Sequence, residues 1–349
     1  MKPSFILQTN FKKLEAFLIK QQYKKHVIIC DSNTLLNCLP ILISNVKTLQ
    51  NAEIIEIEPS ENSKQLETCA HIWDTLFELK IEKSDVIINL GGGVVTDLGG
   101  FIASVYKRGI PFINIPTTLL GMADASVGGK NGINYHHSKN SIGTITFPSL
   151  TFIQPQFLET LPQVEFQNGL AEVFKIALVK DKPFWNELIE QNKTTISYLI
   201  RKSTSLKQSI VEKDPYEKKE RKILNFGHSI GHAVEMLCYD QKQPIHHGFA
   251  VIIGMIIEAH ISFQKKLLSK PELDEIILNL TQKFTFSLNT NLTYELLKEY
   301  LTQDKKNKAG LIKMALLNGI GKCVVDVTVS EKEIIKAINF FEGKKLNYA

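Results

Sequence analysis

The sequence predicts an α/β domain built on a parallel sheet, followed by a mainly α-helical domain. Three observations predict it. Through about the first 150 residues, short apolar runs alternate with helix-length segments. Those runs end in loops rich in glycine, proline or hydroxyl side chains. Beyond Pro155 the texture changes to long, helix-periodic stretches with few glycines. Strands separated by crossover-length segments belong to a parallel, Rossmann-like sheet. Such sheets bind ligands beyond the carboxyl ends of their strands.

In chain order, residues 26–30 are an apolar run ending at Asp31-Ser32-Asn33, a strand followed by a turn or helix cap. Residues 52–57 form a second run that ends near Pro59, and 66–79 has helical spacing. Residues 85–90 are a third strand that runs straight into Gly91-Gly92-Gly93. Residues 112–115 are a fourth, ending at Pro116-Thr117-Thr118. The second half carries helix-periodic segments at 165–180, 184–200, 206–213, 231–237 and 248–264, then a strand-like run at 311–317. No internal repeat is visible. The junction at 147–155 divides the chain into expected domains of residues 1–153 and 154–349.

A length of 349 residues suits roughly two domains of about 150 residues and is ample for a sizeable core. The net charge of +5 is mild, and no basic block is flanked by aromatics as a nucleic-acid surface requires. Scattered lysines read as a solvated surface, with room for a locally basic pocket for a small anion. The five cysteines are odd in number, widely spaced and without a C-x-x-C pair, as in a reduced cytosolic protein. The start, Met1-Lys2-Pro3, has no apolar stretch of signal-peptide length. The most apolar run, 249–257, stops at Glu258, is too short for a bilayer and reads as a buried helix. The expectation is a cytoplasmic protein with neither nucleic acid nor membrane as partner.

Three groups of residues suggest chemistry. Residues 91–97 (GGGVVTD) lie at a strand-to-helix junction, where glycines allow close backbone approach and helix-start amides attract phosphate; a tight turn explains the same residues. The run is neither a G-x-G-x-x-G fingerprint nor a P-loop. His228 and His232, four apart, share a face if helical, and His246 and His247 follow. Five of the nine histidines lie between 228 and 260, and Glu172 could complete an open three-ligand zinc site. Spacing alone leaves His228 and His232 equally able to be a ligand pair. Among the lysines, Lys130 follows two glycines, whereas Lys175 lies three residues beyond Glu172, where an intrahelical ion pair accounts for it.

Taken together, residues 85–251 resemble the 3-dehydroquinate synthases of the sugar phosphate cyclase family. The resemblance rests on ordered blocks: 91–100 (GGGVVTDLGG), 106–109 (YKRG), 116–120 (PTTLL), 124–134 (DASVGGKNGIN), Lys139-Asn140, 169–175 (GLAEVFK), 224–232 (LNFGHSIGH), His247-Gly248 and Asp304-Lys305-Lys306. With the regions around Asp31 and 61–64 it covers most of the chain.

The resemblance implies a first domain that binds NAD and a helical second domain that binds metal and substrate. Glu172, His228 and His247 would be the ligands of Zn2+, or of Co2+, with His247 preferred over His246 because it abuts Gly248. His232 would be a substrate-contacting catalytic histidine. Asp124, Lys130, Asn140, Lys175, Lys207, Arg221, Asn225 and one or both of Lys305 and Lys306 would line the substrate pocket. Arg108 would reach the neighbouring subunit's site in a homodimer. Asp31, Glu61, Lys64, Gly92, Gly93, Val94, Val95, Asp97, Thr117, Thr118 and Lys139 would contact NAD, with Lys130 beside them.

The implied reaction converts 3-deoxy-D-arabino-heptulosonate 7-phosphate to 3-dehydroquinate and phosphate, in the shikimate pathway to chorismate and the aromatic amino acids. It proceeds by transient oxidation with NAD, β-elimination of phosphate, re-reduction, ring opening and aldol closure. The enzyme is therefore a lyase without net redox change. Four departures from the commonest family pattern stand out: Thr96 for glycine, Asn131 for threonine, the 135–138 loop, and Phe249 for glutamate. Rival readings are a cyclase for a substrate without a carboxylate, a related polyol dehydrogenase, and a non-catalytic NAD- or metal-sensing protein. Arg221, Lys207 and Asn225 argue for a substrate carboxylate.

Overall fold

The computed structural model describes residues 5–7, 10–136, 138–190, 194–285, 288–302 and 312–345. The chain divides into two compact units, residues 1–169 with 196–208, and residues 170–195 with 209–349. Residues 154–169, grouped by the sequence with the helical half, thus pack within the first unit.

The first unit runs β1 (Phe5–Leu7), α1 (Lys12–Gln21), β2 (His26–Asp31), α2 (Ser32–Asn37), α3 (Leu39–Asn45), β3 (Glu53–Ile57), α4 (Leu66–Glu78), β4 (Val86–Gly91), α5 (Gly93–Val105), β5 (Phe112–Pro116), β6 (Lys130–Tyr135), β7 (Ser138–Ile145) and β8 (Leu150–Ile153). Six strands form one sheet in the order β1-β8-β5-β4-β2-β3, and every pairing in it is parallel. β4 is buried along its whole length, which is why it reads as a continuous apolar run. From β2 the chain adds β3 on one side and β4 on the other. The topology therefore reverses at β2 and β4, where ligands of such sheets bind. Helix α5 lies close on the sheet because Gly99 lets it: a Cβ there would stand 1.9 Å from Asn89 Oδ1. The antiparallel hairpin β6–β7 was not legible as strands in the sequence.

The second unit takes the latter part of α6 (Gln163–Lys180), then α7 (Lys182–Ile189), the end of α8 (Ile196–Lys213), α9 (His228–Asp240), α10 (His247–Gln264), α11 (Lys270–Lys283) and α12 (Tyr294–Thr302). An antiparallel hairpin, β9 (Ile312–Leu317) and β10 (Cys323–Val329), and α13 (Glu331–Lys345) complete it. The expected single helix over 184–200 is two helices. α7 starts at an Asp181 cap with Pro183 in its first turn, and Thr194-Thr195 precede α8. Threonine competes for its own backbone and favours such boundaries. Helix α10 matches the expected segment 248–264 to within one residue. By length and hydropathy it is able to cross a membrane, yet 78% of it is buried within the protein. It packs backbone to backbone on α9, since a Cβ at Gly254 would stand 1.9 Å from Gly227 O. The five cysteines are all free thiols.

Candidate active site

In the first unit, β4 delivers Gly91 and Gly92 to the start of α5. Gly92 is the N-cap and supplies no side-chain cap, so the first-turn amides of α5 remain available to a ligand. A Cβ at Gly92 would lie 3.0 Å from Thr118 Cγ2, and one at Gly91 would lie 2.4 Å from Val95 Cγ2. Glycine at these positions therefore lets the loop pack closely on Val95 and Thr118 while leaving the helix-start amides that suit a phosphate. Gly93 and Val94 are half-buried, whereas the Val95 side chain belongs to the core, which leaves only its backbone for a ligand. Thr117 is buried, and Thr118 Oγ1 accepts from Gly121 N at 3.0 Å. At the end of β2, Asp31 caps α2, its Oδ1 accepting from Thr34 N at 2.9 Å.

Four of the expected residues meet in one network. Lys64 is 3% exposed, and its Nζ donates to Asp97 Oδ2 at 2.9 Å and Asn140 Oδ1 at 2.5 Å, with Glu61 Oε1 at 3.7 Å. Burial pulls the Lys64 ammonium down, but Asp97 and Glu61 outweigh it and hold its pKa above the ordinary value. Asn134, which the sequence reading did not single out, ties this network together. Its Nδ2 donates to Glu61 Oε1 at 2.9 Å, and its Oδ1 accepts from Asn140 N at 2.9 Å. Lys130 is exposed at the start of β6, and Lys139 is half-buried on β7. Asp124 lies in a π-helical turn, Gly121–Ala125, with Lys207 Nζ 2.6 Å from its Oδ1 and 2.8 Å from its carbonyl oxygen. Such turns recur at functional sites. Arg108 is exposed, in a run of three left-handed residues, Lys107 (φ 48°), Arg108 (φ 63°) and Gly109 (φ 104°). Two successive non-glycine residues in that region are costly.

In the second unit, α6, α9 and α10 bring Glu172, His228 and His247 together. Glu172 is 2% exposed; its Oε1 lies 3.5 Å from His228 Nε2 and 3.4 Å from His247 Nε2. Ligand atoms about 2.1 Å from a single tetrahedral ion lie about 3.4 Å from one another. Each ring is held on its other side: His228 Nδ1 is 3.2 Å from Phe226 O, and His247 Nδ1 is 3.2 Å from Glu235 Oε2. Glu172 Oε2 is paired with the Lys175 ammonium, and its Oε1 is the atom shared between the two rings. One carboxylate oxygen and two imidazole nitrogens converging at this spacing form a donor set that fits zinc.

The nitrogens of His228, His232 and His247 also lie within 4.8 Å of one another. The exposed position of His232 and the approach of Glu172 Oε1 to both His228 and His247 favour the carboxylate as third ligand. Burial raises the Glu172 carboxyl, but Lys175 and His247 hold it down at about 2. Burial, Lys175 and the two neighbouring imidazoles push His228 well below 6.5. Burial also lowers His247, but hydrogen bonds to Glu172 and Glu235 raise it to about 10.

A 3-10 helical segment before α9, Glu220–Asn225, presents Arg221 and Asn225. Arg221 is buried, with Nη1 donating to Pro215 O at 2.6 Å; Asn225 Nδ2 donates to Glu217 Oε1 at 2.7 Å. Asp214 organises the loop by accepting from the amides of Lys218, Lys219 and Arg221. Lys305 and Lys306 lie outside the described residues.

Two family models match in succession: the 3-dehydroquinate synthase N-terminal model over residues 54–168 and the C-terminal model over 169–307. The chain belongs to the 3-dehydroquinate synthase family. The 3-dehydroquinate synthase of Parabacteroides distasonis is 35% identical over 94% of each chain, and that of Streptococcus pyogenes is 36% identical over 94% of this chain and 93% of its own. Among solved structures, the 2-epi-5-epi-valiolone synthase ValA of Streptomyces hygroscopicus, with NAD+ and Zn2+ bound, superposes with a TM-score of 0.88. It is 28% identical, and the match covers 99% of this chain and 98% of that one. A 2-deoxy-scyllo-inosose synthase structure with carbaglucose-6-phosphate, NAD+ and Co2+ shares the fold, with a TM-score of 0.84 at 23% identity over 96% of this chain and 95% of its own.

The departures from the commonest 3-dehydroquinate synthase pattern are locally accommodated. Thr96 Oγ1 donates back to the carbonyls of Gly92 and Gly93, both at 3.2 Å, which braces the glycine loop. Asn131 Nδ2 ties Gly129 O and Thr146 O across the base of the β6–β7 hairpin. Tyr135 and His136 stack edge-on with centroids 4.2 Å apart; His137 is outside the described residues. Phe249 is buried beside the His246 ring.

Proposed function

We propose that this chain is a 3-dehydroquinate synthase that converts 3-deoxy-D-arabino-heptulosonate 7-phosphate to 3-dehydroquinate and phosphate, a carbon–oxygen lyase without net redox change. The observation that carries the reading is the convergence of Glu172 Oε1, His228 Nε2 and His247 Nε2 at 3.4 to 3.5 Å, set in a chain of this family. The first unit, centred on residues 1–153, is the NAD-binding part. Residues 170–195 and 209–349 supply the metal ligands.

When bound, NAD exchanges a hydride with the substrate carbinol, and the metal supplies Lewis acidity and a template for substrate hydroxyls. The chain's own residues do the rest. Lys130, Lys207 and Arg221 offer charge-assisted hydrogen bonds to the two anionic ends, roughly twice as strong as neutral ones. Holding those ends leaves the middle of the molecule free to change while its geometry is kept. Arg221 is preorganised by Pro215 O, and Lys207 holds Asp124 in place. His232, exposed beside the ligands, contacts substrate and relays protons. The leaving phosphate takes the proton adjacent to the new ketone, so no separate protein base is required for elimination. The active species is a homodimer in which Arg108 serves the neighbouring subunit, and it works in the cytoplasm.

The test is phosphate release from the heptulosonate phosphate by purified protein, with and without prior chelation. Release dependent on catalytic NAD and restored by Zn2+ or Co2+ is expected. The rival reading is another cyclase of the same family acting on a sugar phosphate without a carboxylate, and the valiolone synthase is a related cyclase of this fold. Turnover of a sugar phosphate without a carboxylate in place of the heptulosonate phosphate would establish that rival.

A further inference from the structure

We propose that Glu235 is a positioning residue that sets the tautomer and basicity of the metal ligand His247; the inference rests on the reading of Glu172, His228 and His247 as the metal ligands. His247 is the first residue of α10. The ring of His228 is held by a carbonyl two residues before it, Phe226 O. The ring of His247 is held instead by a carboxylate from another helix, Glu235 Oε2 at 3.2 Å from Nδ1. With Nδ1–H donated to Glu235, Nε2 is the nitrogen that would bind the metal, and it faces Glu172 Oε1 at 3.4 Å. Glu235 is not itself a ligand, because it meets the opposite nitrogen of the ring. A carboxylate acceptor also makes the imidazole a stronger donor than a carbonyl would.

The placement follows from the helix. Glu235 is three residues beyond His232 and seven beyond His228, so α9 carries all three on one face. It is 8% exposed, and a buried carboxylate beside a second one, Glu172, is costly unless a cation is shared between them. Helix α9 thus supplies one ligand, the substrate-facing histidine, and the acceptor that aims the second ligand. The close packing of α9 on α10 through Gly231 and Gly254 keeps the Glu235–His247 distance fixed.

The experiment titrates Co2+ into the chelator-stripped full-length protein, read by its visible spectrum, and measures Zn2+ affinity by competition with a chromophoric chelator. The expected metal affinity of Glu235→Ala is about 10- to 100-fold below wild type, with an altered Co2+ spectrum. Glu235→Gln keeps an acceptor without the charge and loses less. NAD affinity is unchanged in both. Glu235→Ala adds nothing to the loss in a His247→Ala background, because the two side chains act through one ring. Glu235→Ala binding Co2+ as wild type does, with an unchanged spectrum, overturns the proposal, as do additive losses. Should the alanine variant fail to fold, Glu235→Gln decides: affinity equal to wild type overturns the proposal. If His247→Ala itself keeps wild-type affinity, the metal-site reading fails, an outcome distinct from failure of the Glu235 role alone.

Discussion

Metal uptake by the stripped protein should expel one proton near neutral pH, and His247 is its source. Glu172 is already ionised, held at about 2, and His228 is already neutral. His247 is raised to about 10 by its hydrogen bonds to Glu172 and Glu235, against burial, so at pH 8 its Nε2 carries the proton that a metal must displace. Binding should therefore strengthen about tenfold for each pH step from 7 to 9. Calorimetric titration of Zn2+ at pH 8, in two buffers of different ionisation enthalpy, counts the protons. The expected value is close to one; less than about 0.3, or an affinity flat with pH, refutes the reasoning.

The same pair fixes a sign for stability of the metal-free protein. His247 titrates near 10 folded and near 6.5 unfolded, so its contribution is complete below 6.5 and is lost as pH rises through 10. Glu172, depressed to about 2, contributes above 4.5 and fails as pH falls toward 2. Because the two shifts share the Glu172–His247 contact, with Lys175 also lowering Glu172 and Glu235 also raising His247, the alkaline loss is at most about 5 kcal/mol and does not simply add to the acid one.

Other expectations are simpler to check. Gly92→Val places a branched side chain against Thr118, where the Cβ alone is 3.0 Å from Cγ2. It should weaken NAD binding by about 3 kcal/mol, roughly 100-fold by equilibrium fluorescence, while Zn2+ affinity stays unchanged. Gly254→Ala sets a Cβ 1.9 Å from Gly227 O, so α9 and α10 must separate. A cost of about 1–3 kcal/mol or more, a melting point lower by several degrees and a weakened metal site are expected; a melting curve matching wild type would falsify the packing argument. Arg108→Ala should raise the substrate requirement without unfolding the protein. Mixing it with inactive Lys130→Ala should restore some activity in mixed dimers, and mixed dimers that regain none rule out a shared site.

Much of the first unit was written locally. β2, β4 and β5 are apolar runs that stop at Asp31, Gly91 and Pro116, and burial on both faces of a parallel sheet leaves that trace in the residues themselves. The π-helical turn at 121–125 and the β6–β7 hairpin left no such trace. They are anchored by Lys207 and Asn134, whose partners Asp124 and Glu61 lie far away in sequence. In the second unit the apolar period marked α10, whereas the break between α7 and α8 was hidden in a stretch that stays helix-compatible.

The sequence by itself determined the family, the parallel sheet and the presence of a histidine cluster with a carboxylate, because ordered motifs and side-chain periodicity are local properties of the chain. Spacing left His228 and His232 equally able to be ligands, since four residues apart says only that two side chains share a helix face, and it was the family resemblance that implied Glu172, His228 and His247. Tertiary structure alone set Glu172 between His228 and His247, turned His232 outward, and brought Glu235 of α9 against a ring at the start of α10. It also made Lys64 the buried centre of the Glu61, Asp97 and Asn140 network. The physical reason is common to these cases. Burial and close approach of charges depend on which helices and strands pack against one another, and no local pattern encodes a partner tens of residues away.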